Sequence, residues 1–136
     1  MKGLLWIDKR DALALHDRLL ALDGGLTGLR DDALLESALA RPRQLHAYGE
    51  QAHLIDLATA YTAGIVRNHP FVDGNKRTGF LVGVLFLEMN GYVFRASEEE
   101  ATQAVLNLAA GTIREPSFAA WLRVNVEELP QSPTSR

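Results

Sequence analysis

Hydrophobic residues recur along this chain three and four positions apart, the period of an amphipathic helix. After an apolar lead-in at Leu4–Ile7, the residues Ala12, Leu15, Leu19 and Leu22 lie on one such stripe. Asp8 stands before it as an N-cap, with Asp11 at the third helical position and Ile7 and Ala12 placed as a hydrophobic staple. The helix stops at Asp23-Gly24-Gly25, and the glycine-rich stretch Gly24–Arg30 reads as a loop or small hairpin. A second helix starts near Asp31 or Asp32 and uses Leu34, Leu35, Ala38 and Leu39. It is expected to end at Arg41-Pro42, because a residue before proline is pushed out of the helical region. Gln44–Gln51 fits a turn or one short helical turn around Tyr48-Gly49.

Leu54, Leu57, Ala58, Tyr61 and Ile65 form the cleanest stripe, ending around Arg67. From Gly79 to Leu87 the chain is apolar on every side of a helical wheel, which predicts a helix buried all round. Asn90-Gly91 ends that helix, and Tyr92-Val93-Phe94 is a short extended piece. Ser97 and Glu100 make a capping box for a helix through Ala101, Val105 and Leu108 to Gly111. A last helix begins near Pro116, a favoured first-turn residue, and is expected to reach Leu129 on Phe118, Trp121 and Leu122. Residues 130–136 are polar and proline-containing, and are expected to form a disordered tail. The pattern predicts one all-α domain over residues 1–129, a bundle of about six helices around a buried central one.

Composition narrows the function classes. A chain of 136 residues, 47% hydrophobic and 23% charged, is of ordinary globular make-up for one domain. A formal charge of −3 gives no reason to expect nucleic-acid binding. The absence of Cys excludes disulfide and thiolate chemistry. The apolar run at Gly79–Leu87 is too short for a membrane span, and Asp8–Asp11 interrupts the N-terminal apolar stretch before it could serve as a signal core. A cytoplasmic location is the expectation.

The candidate chemistry lies ahead of the apolar helix, where His69 to Arg77 place a base, a carboxylate, a glycine, an amide and two cations in nine positions. With Asp73 as N-cap, the N–H groups of Gly74, Asn75 and Lys76 have no partner inside the helix and face outward with the positive end of its dipole. Such a terminus is an anion site. Gly74 lets a phosphate approach the backbone, Asn75 adds an amide donor, and Lys76 and Arg77 add positive charge. Asp73 offers a hard oxygen ligand; magnesium is commonly held by one or two carboxylates together with substrate phosphates. His69, kept out of that helix by Pro70, is placed to take the proton of an incoming hydroxyl. Taken singly, Asp73 could be only a cap paired with Arg77, and His69 a loop histidine. Phe71 reads as a core anchor, and Gly79 and Gly83 as points of close helix packing. His16, His46 and His53 have no second ligand type at metal-binding spacing, so no zinc site is expected.

His69, Phe71, Asp73, Gly74, Asn75, Lys76 and Arg77 resemble the signature of the Fic/Doc (Fido) family, in its death-on-curing toxin form. The Gly24–Arg30 loop, the 34–43 stretch and the Asn90-Gly91 helix end extend the resemblance. It implies an all-helical fold, ATP with magnesium, and transfer onto a hydroxyl of a target protein of the translation machinery. His69 would be the base, Asp73 the metal ligand, and Gly74, Asn75, Lys76 and Arg77 the phosphate site, with Gly24–Arg30 as a flap aligning the target. Lys76 replaces a glycine of AMP-transferring members, and Phe80 replaces their second arginine. Both departures favour γ-phosphoryl transfer, whereas Gly74 is the AMP-transferring form. AMP transfer is thus the alternative, and a non-enzymatic helical binding module the second. The inhibitory Ser/Thr-x-x-x-Glu-Gly/Asn helix of many Fic proteins is not found, so control by a separate cognate antitoxin protein is expected.

Overall fold

The computed structural model describes residues 3–49 and 53–130. The expected tail therefore falls, from residue 131 onward, outside the described residues. Six helices and one two-stranded ribbon are present among them: α1 (Lys9–Asp23), α2 (Asp32–Tyr48), α3 (Leu54–Asn68), α4 (Asn75–Met89), β1 (Tyr92–Phe94), α5 (Glu98–Ala110), α6 (Glu115–Val124) and β2 (Val126–Glu128). The fold is all-α, as its periodicity predicts.

α3 and α4 are the central pair. α3 is buried without a break from Leu57 to Val66, more completely than the apolar helix α4. Two glycines set how closely the pair approaches. A Cβ on Gly79 would meet Thr62 O and Val66 Cγ2 at 3.1 Å, and one on Gly83 would meet Thr62 Oγ1 at 2.4 Å and Ala58 O at 2.9 Å. Thr62 Oγ1 uses the closeness to donate to Gly79 O at 2.8 Å. Gly83→Ala is expected to cost about 1–3 kcal/mol through overpacking, read as a lower midpoint in urea unfolding at unchanged slope.

The caps at Asp8 and Ser97 form as predicted, each a complete capping box. Three predictions need correction. α2 does not end at Pro42 but runs on to Tyr48 with Pro42 buried inside it. Pro42 removes the donor that Ala38 O would receive in a regular helix. The same turn lies against α3, where a Cβ on Gly64 would stand 3.2 Å from Ala38 Cβ, so tertiary packing holds the helix through the proline. The last helix ends at Val124, not near Leu129, because Val126–Glu128 pairs antiparallel with Tyr92–Phe94. Finally, the buried line of α1 is Ala12, His16 and Leu20, while Leu22 is exposed. The stripe through Ala12, Leu15, Leu19 and Leu22 shares only Ala12 with the buried line and is rotated off it.

The ribbon, α4 and α6 share an aromatic cluster. Phe80 lies edge-on to Phe94 at 5.3 Å between ring centroids, and Trp121 packs on Phe94 at 5.8 Å and Phe118 at 5.5 Å. At the other end, the buried Tyr61 hydroxyl accepts from Ile7 N at 3.0 Å and donates to Ile7 O at 3.3 Å, pinning the N-terminal lead-in to α3. Burial raises the Tyr61 pKa above its ordinary value, so its hydroxyl keeps its proton.

Candidate active site

The turn between α3 and α4 is held as a rigid loop. α3 is closed by His69 as its C-cap, whose backbone is left-handed (φ 51°, ψ 54°) and whose N–H still donates to Ile65 O at 3.1 Å. Arg30 covers that helix end, donating from Nε to His69 O at 2.6 Å and from Nη2 to Asn68 O at 2.9 Å. Cations belong at a helix C-terminus, where free carbonyls and the negative end of the dipole collect. Phe71, fully buried, anchors the loop below.

Asn75 performs a different task from the one its sequence position suggests. Its side chain is buried and folds back on the loop: Oδ1 accepts from Phe71 N at 2.9 Å and Nδ2 donates to Phe71 O at 3.0 Å. Both bonds fix the amide's orientation, so Nδ2 also faces His69 Nδ1, 3.3 Å away. The amide therefore braces the exposed His69 ring against the start of α4 and is not free to donate to a ligand.

Asp73 is not the N-cap of α4. Gly74 is, in the left-handed conformation at φ 78°, and the first intrahelical bond runs from Thr78 N to Gly74 O. A left-handed N-cap suits glycine and would strain aspartate. The register moves by one residue: Gly74 N is taken by Asp73 Oδ1 at 2.9 Å, and the N–H groups of Asn75, Lys76 and Arg77 open the helix with no side chain capping them. The open helix start expected from the sequence is there, shifted by one residue.

The glycine-rich loop 24–30 is tied to this turn. Leu29 and Phe71 form an antiparallel bridge, Val72 N donates to Gly28 O at 3.0 Å, and Arg30 N and Asp31 N both donate to Pro70 O. Leu26 N donates to Asp73 Oδ2 at 3.1 Å. A Cβ on Gly25 would fall 2.9 Å from that same oxygen, and Gly25 has φ 122°, so glycine is needed there twice over. The loop is thus one strand of a small hairpin-like edge running beside the motif.

His16 was missed by sequence reasoning. It is 2% exposed, stacks on Phe71 with ring centroids 3.8 Å apart and planes 9° from parallel, and holds Asp73 O from Nε2 at 2.7 Å. A hydrogen bond to a carbonyl requires the proton on Nε2. The available signal was its place four residues after Ala12 and four before Leu20, on the buried line of α1. His46 and His53 lie elsewhere, His46 against Trp6 and His53 as the N-cap of α3.

Asp73, Gly74, Asn75, Lys76 and Arg77 line one cleft of about 690 Å³ between α1, α4 and α5. Its far wall is apolar, with Phe80, Leu81, Phe94, Val105 and Leu106. His69 is not among the lining residues; its link to them is the 3.3 Å approach of its Nδ1 to Asn75 Nδ2. Arg77 Nη1 is ion-paired with Asp23 at the end of α1, so its partner is Asp23 and not Asp73. Among the described residues no group of three His, Cys, Asp or Glu side chains could hold a metal alone. Asp73 still fits magnesium shared with phosphates: its carboxylate is exposed, and two N–H donors leave about half of its roughly four lone-pair positions free.

The Fic/DOC family profile matches residues 6–87, from the N-terminal lead-in to the end of the apolar stretch of α4. Protein kinase doc of Escherichia phage P1 is 35% identical over 117 residues, covering 86% of this chain and 92% of the relative. Toxin Doc of Mycolicibacterium smegmatis is 40% identical over 88 residues, covering 63% of this chain and 65% of the relative. The matched stretch contains the hairpin-like edge, the braced histidine and the open helix start together, and the chain belongs to the Fic/DOC family, of the death-on-curing (Doc) type.

Proposed function

We propose that this protein is the toxin of a toxin–antitoxin pair and transfers the γ-phosphoryl group of ATP to a hydroxyl of a target protein. The observation that carries the reading is the uncapped N-terminus of α4, flanked by Lys76, Arg77 and Asp73, with the His69 ring next to the side chain of Asn75. The free N–H groups of Asn75, Lys76 and Arg77 and the two cations bind phosphate oxygens and offset the charge that spreads over them during transfer. The hydroxyl oxygen forms a bond to the γ-phosphorus while the bond to the β,γ-bridging oxygen breaks, and ADP leaves. His69, exposed on the loop before α4, takes the hydroxyl proton on its ring. Asp73 would hold magnesium, which supplies charge neutralisation between the phosphates. The backbone edge at Gly24–Arg30 aligns the target segment. A cognate antitoxin blocks the same cleft, and the reaction belongs in the cytoplasm.

Phosphoryl rather than AMP transfer is favoured by Phe80. It stands in the apolar wall against Phe94, where an arginine would contact the α-phosphate of an AMP donor. That one named relative is a protein kinase agrees with this choice. Incubation with lysate and ATP labelled at either the α- or the γ-phosphate decides. Protein label from γ alone is expected. Label from α indicates AMP transfer, and label from neither leaves a non-enzymatic helical binding module.

A further inference from the structure

Two charges around the cleft sit at the wrong ends of their helices. Asp23 is the last residue of α1, whose final turn carries no basic residue. Arg77 is in the first turn of α4, which has no acidic residue. An anion at a helix C-terminus and a cation at an N-terminus each oppose the dipole. Neither is needed for local structure: α1 is closed by Gly24 N donating to Leu20 O, and α4 starts on Gly74 without a side-chain cap. The two side chains pair with each other, and both line the cleft. Local rules broken without local gain mark sites kept for another purpose.

We propose that Asp23 is a built-in counter-ion of the phosphate site, which occupies Arg77 until a polyphosphate displaces it and so makes binding depend on a divalent cation. The inference rests on the phosphate-site reading given above. Both partners are about half exposed, Arg77 at 57% and Asp23 at 44%, so the pair can exchange without disturbing the core. A free polyphosphate must take Arg77 from a carboxylate and then lie beside that carboxylate and Asp73. A polyphosphate carrying Mg2+ brings the charge that offsets both. Asp23 thus raises the selectivity of the cleft for the metal complex over the free anion, and it does so through Arg77.

The test is calorimetric titration of the full chain with inorganic tripolyphosphate and with ATP, each with and without Mg2+, at one low ionic strength. Asp23→Asn is expected to bind Mg2+-free tripolyphosphate roughly three- to tenfold more tightly than the wild type, as removal of one like charge near the site implies. Its gain from added Mg2+ should shrink in proportion. The increase should vanish when Arg77→Ala is the background, a coupling that a merely structural Asp23 would not show. The melting midpoint should stay level or rise, since α1 loses an unfavourable terminal charge. Weaker or unchanged tripolyphosphate binding by Asp23→Asn overturns the proposal and would instead make Asp23 a support for Arg77. If the wild type still binds Mg–ATP in that case, the phosphate-site reading survives; if no protein binds either ligand, both fall together.

Discussion

His69→Ala is expected to lower the rate of label transfer by about 10²–10⁴-fold, the usual contribution of a positioned general base. That range corresponds to about 3–5.5 kcal/mol of transition-state stabilisation. The fold should survive, because the His69 side chain is exposed and its structural bonds are made by the backbone: N–H to Ile65 O, and O accepting from Arg30 Nε. Alanine in a left-handed conformation carries some strain, however. His69→Asn is the cleaner variant, since asparagine tolerates φ near 51° and its amide cannot accept a proton at neutral pH. Single-turnover transfer measured beside a thermal melt separates the effects. Loss of transfer with a melting midpoint within a few degrees of wild type supports His69 as the base. Transfer at the native rate in both variants would remove it from that role.

The same loop shows how far the sequence could be read. The helices were legible because each has a strong local cause: a capping box at Asp8 and Ser97, and an apolar stripe on α3 that nothing interrupts. Pro42 was misread because local sterics at a proline lost to packing against α3. β2 was invisible because Val126–Glu128 is too short to show a pattern and is extended only by its pairing with β1. The candidate site was legible as a set of residues but not as an arrangement. The gap between Asp73 and Gly74 as N-cap depends on the left-handed turn that follows the Leu29–Phe71 bridge, a contact across forty-two positions of sequence. Asn75 looked like a ligand donor and is a brace, because Phe71 brings both halves of its own peptide pairing to the amide. His16 could be found only once α1 was packed on that loop.

Asp73→Asn should be the second severe loss, with transfer reduced by on the order of 10²-fold or more, as expected when the charge stabilising a transferring phosphoryl group is misplaced. Two separate consequences of one carboxylate meet here. As an anion, Asp73 is the acidic group next to the open start of α4 and the candidate magnesium ligand. As a pair of acceptors, it takes Gly74 N on Oδ1 and Leu26 N on Oδ2. Asparagine keeps one acceptor and turns a donor toward the other N–H, so either Gly74 or Leu26 loses its partner. The variant therefore weakens magnesium coordination and loosens the edge that lies beside the motif. Magnesium titration distinguishes the two. If the charge dominates, saturating Mg2+ recovers part of the rate and the apparent Mg2+ requirement rises. If the Leu26 contact dominates, excess Mg2+ recovers nothing, and amide exchange at Leu26 and its neighbours accelerates. A rate and Mg2+ dependence equal to wild type would dismiss Asp73 from the metal site. His16 supplies the control: it holds only the Asp73 backbone carbonyl and leaves the carboxylate's charge untouched. Its loss should cost stability and rate without changing the Mg2+ requirement.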